Sequence, residues 1–120
     1  MTITNNGYRD IRTYMKNNWN WIGLVDDNGT VQRRYDILNS SSVTIINSET
    51  SNPLTVEIEV TGSDIENIGG SLPVTLQSTK FFKTNNSTTS MGSDSIADVE
   101  LATSGDTVVV TAEYQSPIIN

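Results

Sequence analysis

Residues 54–60 read "LTVEIEV", and they constrain the fold of this chain more than any other stretch. Successive side chains on an extended strand alternate between faces. Leu54, Val56, Ile58 and Val60 therefore point one way, and Thr55, Glu57 and Glu59 the other. Such a segment is a strand with one buried and one wet face, and it needs other strands to cover it. Pro53 stands at its start, where a missing N–H is tolerated.

The remaining chain supplies those partners. Residues 19–25 and 30–37 flank Asn28-Gly29, the dipeptide favoured in type I′ turns, and predict a β-hairpin. "SVTII" (42–46) is a short β-branched run. "LPVTLQSTKFFKT" (72–84) reads as a strand bending near Gln77-Ser78. "IADVELA" (96–102) puts Ala97, Val99 and Leu101 inward and Asp98 and Glu100 outward. "TVVVTAEYQ" (107–115) lines up Val108, Val110, Ala112 and Tyr114 on one face. The turn Ser104-Gly105-Asp106 predicts that these last two strands pair as a C-terminal hairpin. Residues 61–71 and 85–95 are glycine-rich or polar and read as loops. Seven or eight short strands with turn signals at roughly 8–12 residue intervals indicate a mainly β chain folded as an antiparallel β-sandwich.

One helix precedes them. In residues 7–18, Tyr8, Ile11, Tyr14 and Met15 recur at spacings of three and four and form an apolar stripe. Arg9, Asp10, Arg12 and Lys16 lie off that stripe, and Asn17-Asn18 gives a stop. The stripe serves either to cover the domain's own sheet or to dock a partner. The length of 120 residues suits a single domain over 1–120, with a helix at 7–18, a sandwich at 19–115 and a tail at 116–120.

Composition narrows the chemistry. The chain has no histidine and no cysteine, which removes Ser-His-Asp and Cys-His catalysis, imidazole acid–base work, disulfides and Cys or His metal sites. No nucleotide-binding or nucleophile-elbow motif occurs. Seven Lys and Arg stand against fourteen Asp and Glu, a net charge of −7. That balance disfavours nucleic acid and anionic membrane surfaces as partners. No apolar run is long enough for a signal-peptide core or a membrane span, so synthesis in the cytoplasm is expected. No enzyme activity, cofactor, metal or small-molecule substrate is expected.

Several groups are candidates for a site. Asp26-Asp27-Asn28 offers oxygen ligands, but no Glu closes a calcium loop, and a turn explains the same residues. Glu57 with Glu59, and Asp98 with Glu100, are carboxylate pairs on wet strand faces. Trp19 and Trp21 are two apart on the strand 19–25 and so share a face; they roof the core, meet another subunit or stack on a sugar. Ile22 and Leu24 occupy the other face, so the strand is apolar on both sides. Arg33 and Arg34 point to opposite faces and suit either surface ion pairs or the carboxylates of a neighbouring copy. The candidate interface is Tyr8, Tyr14, Trp19, Trp21, Arg33 and Arg34.

The order of elements resembles small β-sandwich virion proteins of tailed bacterial and archaeal viruses. The features that carry the resemblance are Ile11-Arg12 in the opening helix, "WIGL" (Trp21–Leu24) in the first strand, Arg33-Arg34 in the second and the closing strand Thr107–Gln115. The chain departs from that group in lacking a Gly-Thr-rich run after the first strand and an E-x-G-L-F strand, where "TKFFKT" (79–84) stands instead. The resemblance implies a structural particle protein, tail-associated in preference to head decoration, with other virion proteins and copies of itself as partners. The competing expectation is a carbohydrate-binding or adhesin module using Trp19 and Trp21.

Overall fold

The computed structural model describes residues 1–115, so the 116–120 tail lies outside the described residues. Helix α1 spans Asn5–Asn18, followed by strands β1 (Trp21–Asp26), β2 (Val31–Asp36), β3 (Val43–Asn47) and β4 (Leu54–Thr61). A short helix α2 (Gly62–Glu66) comes next, then β5 (Val74–Phe82), β6 (Gly92–Leu101) and β7 (Thr107–Tyr114). Two antiparallel sheets, ordered β2-β1-β5-β6 and β3-β4-β7, pack face to face as a β-sandwich.

The inward row of residues 54–60 is as expected, but Thr55, expected on the wet face with Glu57 and Glu59, is buried. Leu54, Val56, Ile58 and Val60 are fully buried and meet Ile22, Leu24, Leu76 and Phe81 of the facing sheet. Each such aliphatic side chain contributes roughly 1.5–3 kcal/mol by leaving water. β4 pairs with β7 in one unbroken register, from Leu54 opposite Tyr114 to Thr61 opposite Thr107.

That ladder overturns the expected C-terminal hairpin. β6 closes the edge of one sheet and β7 the edge of the other, and the turn between them carries the chain across the sandwich. The Asp106 carboxylate holds this turn by accepting from the backbone N–H of Ala102 and Thr103 and from the Thr103 hydroxyl. A turn signal specifies a reversal, not a pairing, and the long match of β7 to β4 decides the partner. The expected bend in β5 is a register shift between Leu76 and Ser78. It also exposes Ala97, which was expected inward, because Ile96 and Val99 take the core-facing positions instead.

Three further readings change. The β1–β2 turn is not type I′, because among its residues only Gly29 has a positive φ, +82°. Gly29 N–H bonds Asp26 O and Asp26 N–H bonds Thr30 O, which makes a three-residue loop closed by a glycine bulge. Trp19 is not on the strand: it caps α1, its N–H bonded to Met15 O. Arg12 is not on a wet face of α1 but buried, with Nε donating to Glu49 O at 3.0 Å, while Tyr14 of the apolar stripe is exposed.

Residues 61–71, read as loop, contain α2. Thr61 and Asp64 form a reciprocal capping box at its start. The helix is pressed against the β6–β7 turn, with Gly62 N–H on Asp106 O and Ser63 N–H on Ser104 O. A Cβ on Gly62 would lie 2.0 Å from Thr103 O, a backbone atom, so α2 or the β6–β7 turn would have to shift. Gly62→Ala is therefore expected to cost about 1–3 kcal/mol, the usual range for overpacking. Urea unfolding should show a lower midpoint at unchanged slope.

Candidate functional site

The structure distributes the six candidate interface residues over three places. Tyr8 lines a shallow hollow between α1 and the β3–β4 loop, with Arg9, Arg12, Thr50 and Asn52. Tyr14 and Trp19 meet edge to face at the C-terminal end of α1, ring centroids 6.5 Å apart. Trp21, Arg33 and Arg34 border a third hollow of about 420 Å³ on β1 and β2, with Gln32, Asn85 and Asn86.

Trp19 is occupied structurally. Its ring packs against the core, and its carbonyl accepts a short hydrogen bond from the Tyr114 hydroxyl. Tyr114 also packs on Phe81, centroid to centroid 4.5 Å. Burial, and then the charge of Asp36, push the Tyr114 hydroxyl well above the ordinary tyrosine range, so it remains a donor. These contacts fix α1 over one end of the sandwich. The Lys16–Glu49 ion pair, N···O 3.4 Å, ties the helix to the β3–β4 loop.

The two arginines diverge, as their positions on a strand require. Arg33 reaches α2, where Nη1 donates to Asp64 O at 2.7 Å. Beside it Tyr35 donates its hydroxyl to Asp64 Oδ2 at 3.1 Å. Burial and the adjacent Asp64 charge raise the Tyr35 hydroxyl far above its usual range, against the opposing pull of Arg33. Arg34 lies on the outer face, its guanidinium 3.8 Å from the Phe82 ring centre and Nη1 bonded to Thr84 O at 3.3 Å. A stacked cation of this kind contributes about 0.5–1 kcal/mol when exposed, more when desolvated.

This stack answers what covers the second face of β1. Val25 and Phe82 are buried there, and the position a Cβ on Gly23 would take is 2.9 Å from both Phe82 and Val31 side chains. The cover is made by side chains of the neighbouring strands β2 and β5, not by α1.

The aspartates at the hairpin are turn acceptors. Asp26 Oδ1 accepts from Asn28 N–H at 2.9 Å and Thr30 N–H at 2.8 Å, and Oδ2 accepts from Gln32 Nε2 at 2.7 Å. Burial raises the pKa of this carboxyl, but the bonds from Gln32, Thr30, Asn28 and Gly29 outweigh it and leave the value lowered. Asp36 is balanced the same way: burial raises it, and bonds from Asn39, Asn20 and Leu38 bring it below normal. Among the described residues no three acidic groups gather as a metal-ligand set. Glu57, Glu59, Asp98 and Glu100 stand on the outer sheet faces, half-buried or exposed.

Sequence reasoning missed two features. Asp64, which binds Tyr35, Arg33 and the Thr61 N–H together, was announced by the Thr61-Gly62-Ser63-Asp64 spacing of a capping box. The apolar residues exposed on β3, Ile45 and Ile46, were announced by a stretch without charges, residues 37–48.

A carboxyl with a lowered folded pKa contributes stability that is complete above its unfolded value and disappears as pH falls through the folded value. For Asp26 and Asp36 that loss lies below the ordinary aspartate value of 3.8. Urea unfolding is expected to show stability falling below that pH. Asp26→Asn should lower stability at neutral pH, by an amount on the order of 1–3 kcal/mol for a lost charge-assisted hydrogen bond, and should flatten the acid slope.

Among the described residues no helix is long and apolar enough to cross a membrane. Comparison with protein-family models, with curated proteins and with solved structures gives no match for this chain.

Proposed function

We propose that the chain is a non-enzymatic structural component of a tailed virus particle, tail-associated in preference to head decoration. It acts through repeated contacts with other particle proteins and with copies of itself. The observation that carries this reading is where exposed aliphatic side chains stand. Of the exposed aliphatics, Ile45 and Ile46 are on β3 and Val109 is on β7, both edge strands, while Leu38 and Ile68 stand off the strands; the exposed Tyr14 adds an aromatic on α1. Edge strands offer unpaired backbone groups to a neighbour, and apolar side chains on them add area to that contact. The helix-then-sandwich order supports the same reading, since it is the order that the resemblance to virion proteins rests on.

The test is mass spectrometry of gradient-purified particles from the virus or host whose genome encodes the chain. The chain is expected in constant ratio to the other particle proteins. Its absence from intact particles would overturn the reading.

The hollow beside Trp21 favours a second reading, a carbohydrate-binding module. An aromatic ring half-exposed next to Gln32, Asn85, Asn86 and Arg34 combines a stacking face with planar hydrogen-bonding groups. On that reading a glycan array shows binding that Trp21→Ala abolishes and Trp19→Phe leaves intact. An array without binding removes it.

A further inference from the structure

The four edge strands of the sandwich differ in how they are protected. β2 carries Arg33, Arg34 and Asp36, β6 carries Asp94, Asp98 and Glu100, and β7 carries Glu113. Charges of this kind are the ordinary means of keeping strand edges from pairing. β3, Val43-Thr44-Ile45-Ile46-Asn47, carries none, and it lies within the uncharged residues 37–48. Ile45 is 43% exposed and Ile46 49%.

The backbone of β3 is directed for pairing. Glu59 N–H bonds Ser42 O, so Ser42 and Glu59 are a hydrogen-bonded pair of the antiparallel ladder. Along such a ladder the bonded pairs alternate with non-bonded ones. Thr44 opposite Glu57 is then the next bonded pair, and Ile45 opposite Val56 is non-bonded. The Ile45 N–H and C=O therefore point away from β4, toward the open edge. The register shift between Ile45 and Asn47 follows only after this residue.

We infer that β3 is a self-association edge whose partner is β3 of a second copy of this chain. The two strands run antiparallel about a two-fold axis at Ile45. Ile45 of each copy exchanges both backbone hydrogen bonds with its counterpart, and the two three-stranded sheets become one of six strands. Charge selects this edge for contact between two copies. Each copy carries −7, so two copies meet at least cost where neither presents a charge. The nearest acidic row, Glu57 and Glu59 on β4, is then three strand spacings from its mate, roughly 14 Å at about 4.8 Å per spacing. That exceeds the screening length of about 8 Å at physiological salt. A strand of five residues buries less than a permanent interface, so the association is a concentration-dependent equilibrium.

This inference does not rest on the particle reading, and the two fail separately. Sedimentation velocity over a range of concentrations should show a reversible monomer–dimer equilibrium. Ile45→Glu puts like charges opposite each other across the axis. Ile45→Pro removes only the outward N–H and leaves the β4 ladder its donors. Each should raise the dissociation constant at least tenfold while circular dichroism and the urea midpoint show the fold intact. Val109→Glu, on the β7 edge, should leave it unchanged. If Ile45→Pro does not retain the fold, Ile46→Glu, at an exposed side chain, replaces it with the same expected shift. A wild-type chain that stays monomeric at millimolar concentration overturns the inference. So does a dimer that Val109→Glu dissolves and the β3 variants do not.

Discussion

β1 has no wet face, and the arrangement of the other elements depends on that constraint. Inward it sets Ile22 and Leu24 against the three-stranded sheet, both fully buried. Outward it sets Trp21, Gly23 and Val25, and among the described residues no third layer covers them. The solution is lateral. Phe82 from β5 and Val31 from β2 close over Gly23, and Arg34 lies across Phe82. Such a cover is possible only if β2 and β5 are the immediate neighbours of β1, which is the observed order. Glycine at 23 is part of the same solution, since a side chain there would occupy the space that the Phe82 ring uses. With β1 enclosed in its own sheet, α1 is released to close the end of the sandwich, where Met15 joins the core and Trp19 receives Tyr114.

The features legible in the sequence were those decided by local periodicity. The inward row of Leu54 to Val60 survives because it is apolar at every second position, whereas on the other face only Glu57 and Glu59 stay in contact with water and Thr55 is buried. The N-terminal helix, the bend in β5 and the strands follow from the same kind of signal, except the start of β6, Gly92–Ser95, which lies in the polar stretch 85–95 read as a loop. The features that escaped were decided by competition between distant segments. The turn before β7 reads as a hairpin, yet β7 finds in β4 a partner matched along its whole length. Trp19 sits at strand spacing from Trp21, yet α1 runs to Asn18 and takes Trp19 N–H as its last donor. Arg12 lies at a helix position that reads as wet, and it becomes buried because the β3–β4 loop brings the Glu49 carbonyl to it. Aromatics and arginines mark residues with large contact areas, but Trp19, Arg33 and Arg34 direct much of that area at their own chain.

The use of the basic residues shapes the surface as strongly as their small number does. Of seven Lys and Arg, Arg12 and Lys16 engage Glu49 through its carbonyl and carboxylate, Arg33 engages the Asp64 carbonyl, and Arg34 engages Phe82 and Thr84. Most of these contacts go to backbone oxygens or a ring, and they hold elements together. The excess of acidic groups is left on the outside, on the β4 row of Glu57 and Glu59 and along β6.

Repulsion of that kind limits the geometry of contact more than its existence. Exposed like charges within a screening length oppose approach, and those farther apart barely register. An anionic sandwich therefore keeps its acidic sheet faces apart and is left with its neutral margins as places to be approached. Contact through a strand edge satisfies this, because it extends a sheet sideways and adds distance between acidic rows with every strand inserted. Contact face to face would bring the rows together. The same charge distribution that keeps the protein dispersed thus favours lateral, sheet-extending contacts between copies over stacked ones.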